Sequence, residues 1–497
     1  MGTDILFINP GNQKRVYQEL SREFTAIATP AWTCLLAGYA RRQGFSAAIY
    51  DVNVDGWDDG VPAELAAKYQ PRLIVMMVYG HQPSASTQTM PAARMILNDL
   101  KKCCPELPVA VGGTHPSALP ERTLSEEKAD YVIIGEGPAT IKGLFNALKT
   151  GSALSGVPGL CWKEAGAIRV NERAGVIQDL DAELPDYAWD LLPDLGRYRA
   201  HNMHCFQDFE SSAAEDFADV RTPYIAMNTS LGCPFSCDYC CINALFAKPG
   251  IRYWSVDTVM KWMDTAVNKH KVRNIRFDDE LFILSPKRIE ALCDRLIERD
   301  YGLNIWVYGR VDTIRDNLLG KLKRAGVNWI CLGIESGDEA VRDGVNKRIS
   351  RDIRDIVKSI QGHGIYVLGN YMFGLPDDTM ETMRRTLDLA MALNCEFANF
   401  YCTMPYPGSM LYDQSEPGDR PETWAGYSQH GYDCKPLPTK HVSAAEVLRF
   451  RDRAFVEYFT NPAYLDMVDR RFGKKVRGHI EKMLKVTIKR KLLEEHS

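Results

Sequence analysis

Five apolar runs of strand length punctuate the first 137 residues: "DILFINP" (4 to 10), "SAAIYDVN" (46 to 53), "RLIVMMVY" (72 to 79), "LPVAVGG" (107 to 113) and "ADYVIIGEG" (129 to 137). Helix-like stretches such as "PAWTCLLAGYARRQG" and "STQTMPAARMILNDLKKCCP" lie between them. Strands that are apolar throughout need cover on both faces, and strands that alternate with helices run parallel. Residues 1–151 are therefore expected to form an α/β, doubly wound, Rossmann-like domain. Ligands of such sheets sit beyond the carboxyl ends of the strands. Those ends carry Asn9 and Pro10, then Tyr79, Gly80 and His81, then Gly112, Gly113, Thr114 and His115, then Glu136 between two glycines. Glycine there lets backbone approach a ligand, and tight strand-to-helix turns require it equally. No G-x-G-x-x-G follows the first strand, so a dinucleotide has no fingerprint.

Residues 152–222 change character. "GLCWKEAGAIRVNER" reads as a hairpin turning at Ala165 and Gly166, and "DLDAELPDYAWDLLPDLGRYR" as a proline-punctuated acidic linker with buried aromatics. From 223 to 413 the strand and helix alternation resumes with "PYIAMNTS", "NIRFDDELF", "NIWVYGRVD", "WICLGIES", "YVLGNYMFGLP" and "FANFYCTMPYP". Consecutive βα units whose strands end in polar or glycine clusters predict a partial (β/α)6 barrel with its site at the carboxyl mouth. Residues 414–497 read as helices, expected to cover that mouth and shape the substrate site.

On the loop after the first barrel strand, "SLGCPFSCDYCCINALF" (230 to 246) packs four cysteines into nine positions. The chain has 497 residues, is 45% hydrophobic and 25% charged, and holds no apolar run long enough for a membrane span. Its first residues show no signal-peptide pattern, so a cytoplasmic protein is expected. In a reducing compartment fourteen cysteines are ligands or small buried residues rather than disulfides. A net charge of −4 argues against a nucleic-acid binder, and the basic tail after Arg470 reads as a solvated helix face. Cys233, Cys237 and Cys240 follow C-x3-C-x2-C, and three thiolates from one loop can converge on one centre. A closed zinc site wants four protein ligands. Three suit a four-iron cluster with one iron left open.

C-x3-C-x2-C after the first strand of a βα barrel resembles the radical S-adenosylmethionine (SAM) superfamily, over roughly 223 to 413. The resemblance implies that Cys233, Cys237 and Cys240 hold a [4Fe-4S] cluster whose open iron takes SAM, with Tyr239 near the adenine. "FDDELF" stands where the family binds the SAM amino group, commonly with a Gly-Gly-Glu run, so Asp278 and Asp279 are candidates; a helix N-cap is their alternative role. Arg310 is placed to pair with the SAM carboxylate. Glu335 and Ser336 of "GIESG" are placed at the ribose, and Gly374 and Pro376 of "FGLPDD" beside the adenine.

A doubly wound domain, a hairpin linker and then this barrel resemble the cobalamin-binding branch of the superfamily, which "YVIIGEGPATIKGL" also matches. The D-x-H-x-x-G element of classical cobalamin proteins is absent, since neither His81 nor His115 has Asp two residues earlier. The implied cobalamin contacts are the strand-end loops, 79–86 and 112–115. The implied reaction is transfer of a methyl group to an unactivated carbon of a small-molecule substrate through a 5'-deoxyadenosyl radical, with an electron donor such as flavodoxin or ferredoxin. Rearrangement, cyclisation or oxidation without methyl transfer is the first alternative, and a cobalamin or cluster sensor the second.

Overall fold

The apolar runs become strands because each has a face to bury on both sides. In the computed structural model, which describes residues 2–11, 13–80, 82–210 and 217–495, the first sheet has seven strands in the order β2-β1-β3-β4-β5-β6-β7. Strands β1 (Ile5–Asn9), β2 (Ala47–Asp51), β3 (Leu73–Met77), β4 (Val109–Gly112) and β5 (Tyr131–Ile133) are parallel. Every residue of β1, β3 and β4 is buried, as helices on both faces demand.

The hairpin forms as its turn residues predict, from β6 (Leu160–Glu164) and β7 (Ala167–Val170), with Ala165 and Gly166 at positive φ. It does not stand apart in the linker. Cys161 pairs with Val132, so β6 and β7 extend the first sheet antiparallel. The acidic linker then lays Tyr187, Trp189 and Tyr198 into the core.

Six parallel strands form the barrel: β8 (Tyr224–Met227), β11 (Asn274–Phe277), β12 (Asn304–Arg310), β13 (Val327–Glu335), β14 (Tyr366–Phe373) and β15 (Phe397–Cys402). Between β8 and β11 a two-residue ladder, β9 (Ser230–Leu231) with β10 (Arg252–Tyr253), closes the base of the cysteine loop. Side chains alternate across a strand, so Trp306 and Tyr308, Asn370, and Asn399 and Tyr401 share the inner face.

The C-terminal region contributes Gln429, His430, Arg451 and Phe455 to the cavity at the barrel mouth, and its helices also close the barrel elsewhere. Ala444–Phe459 lies along β15 and closes the open edge of the partial barrel, with Arg451 donating to the Phe400 carbonyl at 2.8 Å. Pro462–Phe472 covers the floor, where Phe472 packs on Trp329 and Tyr366 at the starts of β13 and β14. An open six-strand barrel exposes an apolar edge and base, and burying those is what these apolar helix faces do. The mouth also faces the N-terminal sheet. No helix among the described residues is long and apolar enough to cross a membrane.

Candidate functional site

The cysteine loop leaves β9 and returns to β10, and it is pinned from three sides. Gly232 N–H donates to Glu280 at 3.0 Å, Asp238 N–H to the Val345 carbonyl at 3.1 Å, and Arg310 Nη1 to Cys237 Sγ at 3.6 Å. Arg310 also stacks over the Phe235 ring at 4.0 Å and grips Asp312 with Nε (2.9 Å) and Nη2 (3.2 Å). Burial works against its charge, and Asp312 more than offsets this, so the guanidinium is held above its ordinary value.

Cys233, Cys237 and Cys240 are partly exposed, whereas Cys241 is 3% exposed and packs into the main core. Burial first, and the neighbouring thiols after it, push Cys240 well up; burial raises Cys233 as well. Among the described residues no three His, Cys, Asp or Glu side chains are gathered tightly enough for a single metal ion. A four-iron cluster takes its thiolates at separate corners, so three partly exposed thiols around one loop fit it where one ion would not fit. Among the described residues zinc also lacks a fourth protein ligand.

Beside the loop, Tyr239 donates from its hydroxyl to Glu335 Oε1 at 3.2 Å, and Lys347 Nζ approaches the same oxygen at 3.1 Å. Burial, then Glu335, raises the Tyr239 phenol well above its usual range. Glu335 ends β13 after a bulge and holds φ +66, a conformation an L residue keeps only when its surroundings impose it. Tyr239, Arg310 and Glu335 all lie beside the cysteine loop, but Arg310, expected to pair with the SAM carboxylate, has its donors on Asp312, the Arg348 carbonyl and Cys237. Lys347, 5% exposed, was missed, since a lysine in "VNKRIS" gives no signal of burial.

The other positions are occupied differently. Asp278 is ion-paired with Arg276, whose Nη2 lies 3.0 Å from Oδ2. Asp279 accepts from the hydroxyls of Thr229 (2.7 Å) and Ser230 (2.8 Å), fixing the end of β8 rather than capping a helix. The carboxylate facing the cysteine loop is the next one. Glu280 accepts from Gly232 N–H and from the Tyr79 hydroxyl at 3.2 Å, and burial pushes its pKa up to about 7. As the third residue of the DDE run it aligns with the glutamate of the Gly-Gly-Glu form, and that signal was available in the sequence. Ser336 is fully buried, with its hydroxyl against Thr386 and accepting from Asp338 N–H, which makes it a brace for the next helix. Gly374 and Pro376 form a turn held by Asp378 and packed on Val447.

At the edge of the first sheet, Asn9, Pro10 and Gly80 line a cavity of about 210 Å³ whose opposite wall is the barrel interior: Arg276, Trp306, Tyr308, Cys331, Asn370 and Tyr401. Tyr79 stacks on Trp32 and bridges to Glu280, tying the sheet edge to the cysteine loop. Thr114 Oγ1 and Asn53 Oδ1 are buried at strand ends without a hydrogen-bond partner, as polar atoms awaiting a polar ligand would be. These ends fit a large polar cofactor such as a corrinoid. Gly112 lies within β4, and Gly113 (φ +134) is required by packing: a Cβ there would lie 2.0 Å from the Val78 carbonyl oxygen. Glu136 is engaged by Arg252 at 2.5 Å and Ile177 N–H at 2.7 Å, a tie between sheet and barrel. His115 is covered by the Trp424 ring at 4.4 Å, and burial lowers its pKa to about 3, so it is neutral. His81 lies outside the described residues.

Residues 20–145 match the B12 binding domain family and residues 227–390 match the Radical SAM superfamily. The chain thus joins a B12 binding domain to a radical SAM domain, and the cofactors of these two domains are cobalamin on the one side and SAM with a [4Fe-4S] cluster on the other. An uncharacterized methyltransferase of Pyrococcus horikoshii is 27% identical over 81% of this chain and 82% of its own length. The anaerobic magnesium-protoporphyrin IX monomethyl ester cyclase of Rubrivivax gelatinosus is 24% identical over 99% of this chain and 84% of its own. The radical SAM methyltransferase TsrM from Kitasatospora setae, solved with cobalamin and a [4Fe-4S] cluster, shares the fold with a TM-score of 0.66 at 18% identity, over 93% of this chain and 90% of that one.

Proposed function

We propose that this protein is a cobalamin-dependent radical SAM methyltransferase that methylates an unactivated carbon of a small biosynthetic intermediate. The observation that carries this reading is the cavity itself. One wall is the carboxyl edge of the B12 binding sheet, the other is the barrel interior, and the Tyr79, Glu280 and Gly232 contacts place the cysteine loop beside both. When bound, the cluster supplies the electron that cleaves SAM and the corrinoid supplies a carried methyl group. Cys233, Cys237 and Cys240 hold the cluster. Glu280 accepts the SAM ammonium, which its burial near neutrality suits; Glu335, ordered by Lys347 and Tyr239, accepts the ribose hydroxyls. Asn9, Pro10, Gly80 and Thr114 face the corrinoid. An external one-electron donor such as flavodoxin or ferredoxin and a cytoplasmic location complete the reading.

A second reading, cyclisation or rearrangement without methyl transfer, is favoured by the full-length similarity to a cyclase. Labelled methyl decides between them. Methyl-labelled SAM given to the reduced protein with its substrate is expected to yield a labelled product heavier by one methylene, with one S-adenosylhomocysteine and one 5'-deoxyadenosine per turnover. An unlabelled product accompanied by deoxyadenosine alone would overturn methyl transfer in favour of the second reading.

A further inference from the structure

The cavity wall has a chemical bias. Its lining includes Arg276, Arg451, His201 and His430 but no aspartate, glutamate or lysine among the described residues. The carboxylates that balance the arginines, Asp278 and Asp452, stand behind the wall. Arg451 is fully used: Nε donates to the Phe400 carbonyl (2.8 Å), Nη1 to Asp452 (2.7 Å), and Nη2 lies 3.1 Å from His430 Nδ1. Arg276 is not. It is 2% exposed, it holds Asp278 through Nε and Nη2, and its guanidinium lies 5.1 Å from the centroid of the Trp306 ring.

Nη1 of Arg276 meets no acceptor among the described residues, whereas the Trp306 indole N–H on the same wall is engaged by the Cys331 thiol. A guanidinium donor left unpaired at a cavity wall makes a site for an acceptor. An arginine stays charged at every working pH, so the favoured acceptor is an anion. Tyr308 and Tyr401 supply flat apolar faces around it. A phosphate, with more oxygens and more charge to satisfy, would outrun the one donor left.

We propose, building on the function given above, that the substrate is a small aryl carboxylic acid. Arg276 Nη1 takes its carboxylate, and its ring lies between Tyr308 and Tyr401. Arg276 is thereby the specificity-determining residue of the cavity.

The test needs no turnover. 3-Phenylpropanoate and its neutral isostere 3-phenylpropanamide are titrated into the full-length, cofactor-loaded protein and followed by ligand-observed NMR. The acid is expected to bind about tenfold tighter than the amide or better, as a hydrogen bond to a charged group warrants. In R276M/D278N, which removes both charges so that neither is left buried alone, the gap is expected to fall to within about twofold with the circular dichroism spectrum unchanged. R276K is a second check, retaining the charge and part of the preference. Equal binding of acid and amide by the wild type, no binding of either, or a gap that persists in R276M/D278N would overturn the assignment. A phenyl phosphate that outcompetes the acid would overturn it too. Failure of the wild type to cleave SAM would sink the proposed function and leave this titration standing.

Discussion

Two neighbouring barrel strands carry the same device, an arginine with an aspartate two residues on, and use it differently. On β12, Arg310 spends every edge: Nε and Nη2 on Asp312, Nη2 again on the Arg348 carbonyl at 2.7 Å, Nη1 on Cys237, and its face on Phe235. On β11, Arg276 pairs with Asp278 in the same local geometry and then turns Nη1 to the cavity. Depth explains the difference. Arg310 is the last residue of its strand, where the cysteine loop arrives to use it; Arg276 is one residue short of its strand's end and faces the barrel interior. A buried arginine must be neutralised, and the aspartate does that in both places. Function then resides in the donors left over.

Breaking each pair should separate the two uses. D278A leaves Arg276 charged and 2% exposed, and is expected to cost about 3–5 kcal/mol in a denaturant melt. R276M/D278N should recover most of that, because a matched apolar pair avoids the lone charge. SAM binding gives a smaller effect. Burial holds Glu280 near 7, above its unfolded value, so the free protein keeps this carboxyl protonated at acid pH and loses that stabilising contribution as pH rises through 7. An approaching ammonium draws the proton off. SAM affinity should therefore rise about tenfold from pH ~5.5 to ~7.5, with proton release visible in calorimetry, and E280Q should flatten the profile. D312A is expected to cost less in stability than D278A, about 3 kcal/mol, since Arg310 is 6% exposed but keeps the Arg348 carbonyl and Cys237 as partners. Its readout is the iron content, which should fall as Arg310 loosens from Cys237; an unchanged cluster would show that the two clamps differ less than their geometry suggests.

Much of this was legible in the residues. Continuous apolar strands between helical stretches mean parallel sheets, and five of the seven N-terminal strands and all six barrel strands lie where those runs are. Ala165 and Gly166 marked the hairpin, but not that Cys161 would pair with Val132 and lengthen the first sheet, because strand pairing across an edge has no local signature. The cysteine spacing located the loop. The strand-end polar residues were harder, since sequence gives position and not partner: Asp279, Ser336 and Glu136 stand at strand ends, yet each is consumed by a structural bond. Lys347 escaped notice for the converse reason: nothing local shows that a lysine is 5% exposed or 3.1 Å from a distant carboxylate, whereas Glu280 was legible as the third residue of the DDE run.

The central claim is that three cysteines of one loop hold the SAM-cleaving cluster while the fourth is packing. Cys241 points into the core and Arg310 braces Cys237, so the two substitutions C237A and C241A differ in kind. Anaerobically reconstituted C241A is expected to keep about four iron and four sulfide at this site and to form 5'-deoxyadenosine, whereas C237A is expected to lose both. A C241A protein without its cluster, alongside a C237A protein that retains it, would contradict the assignment.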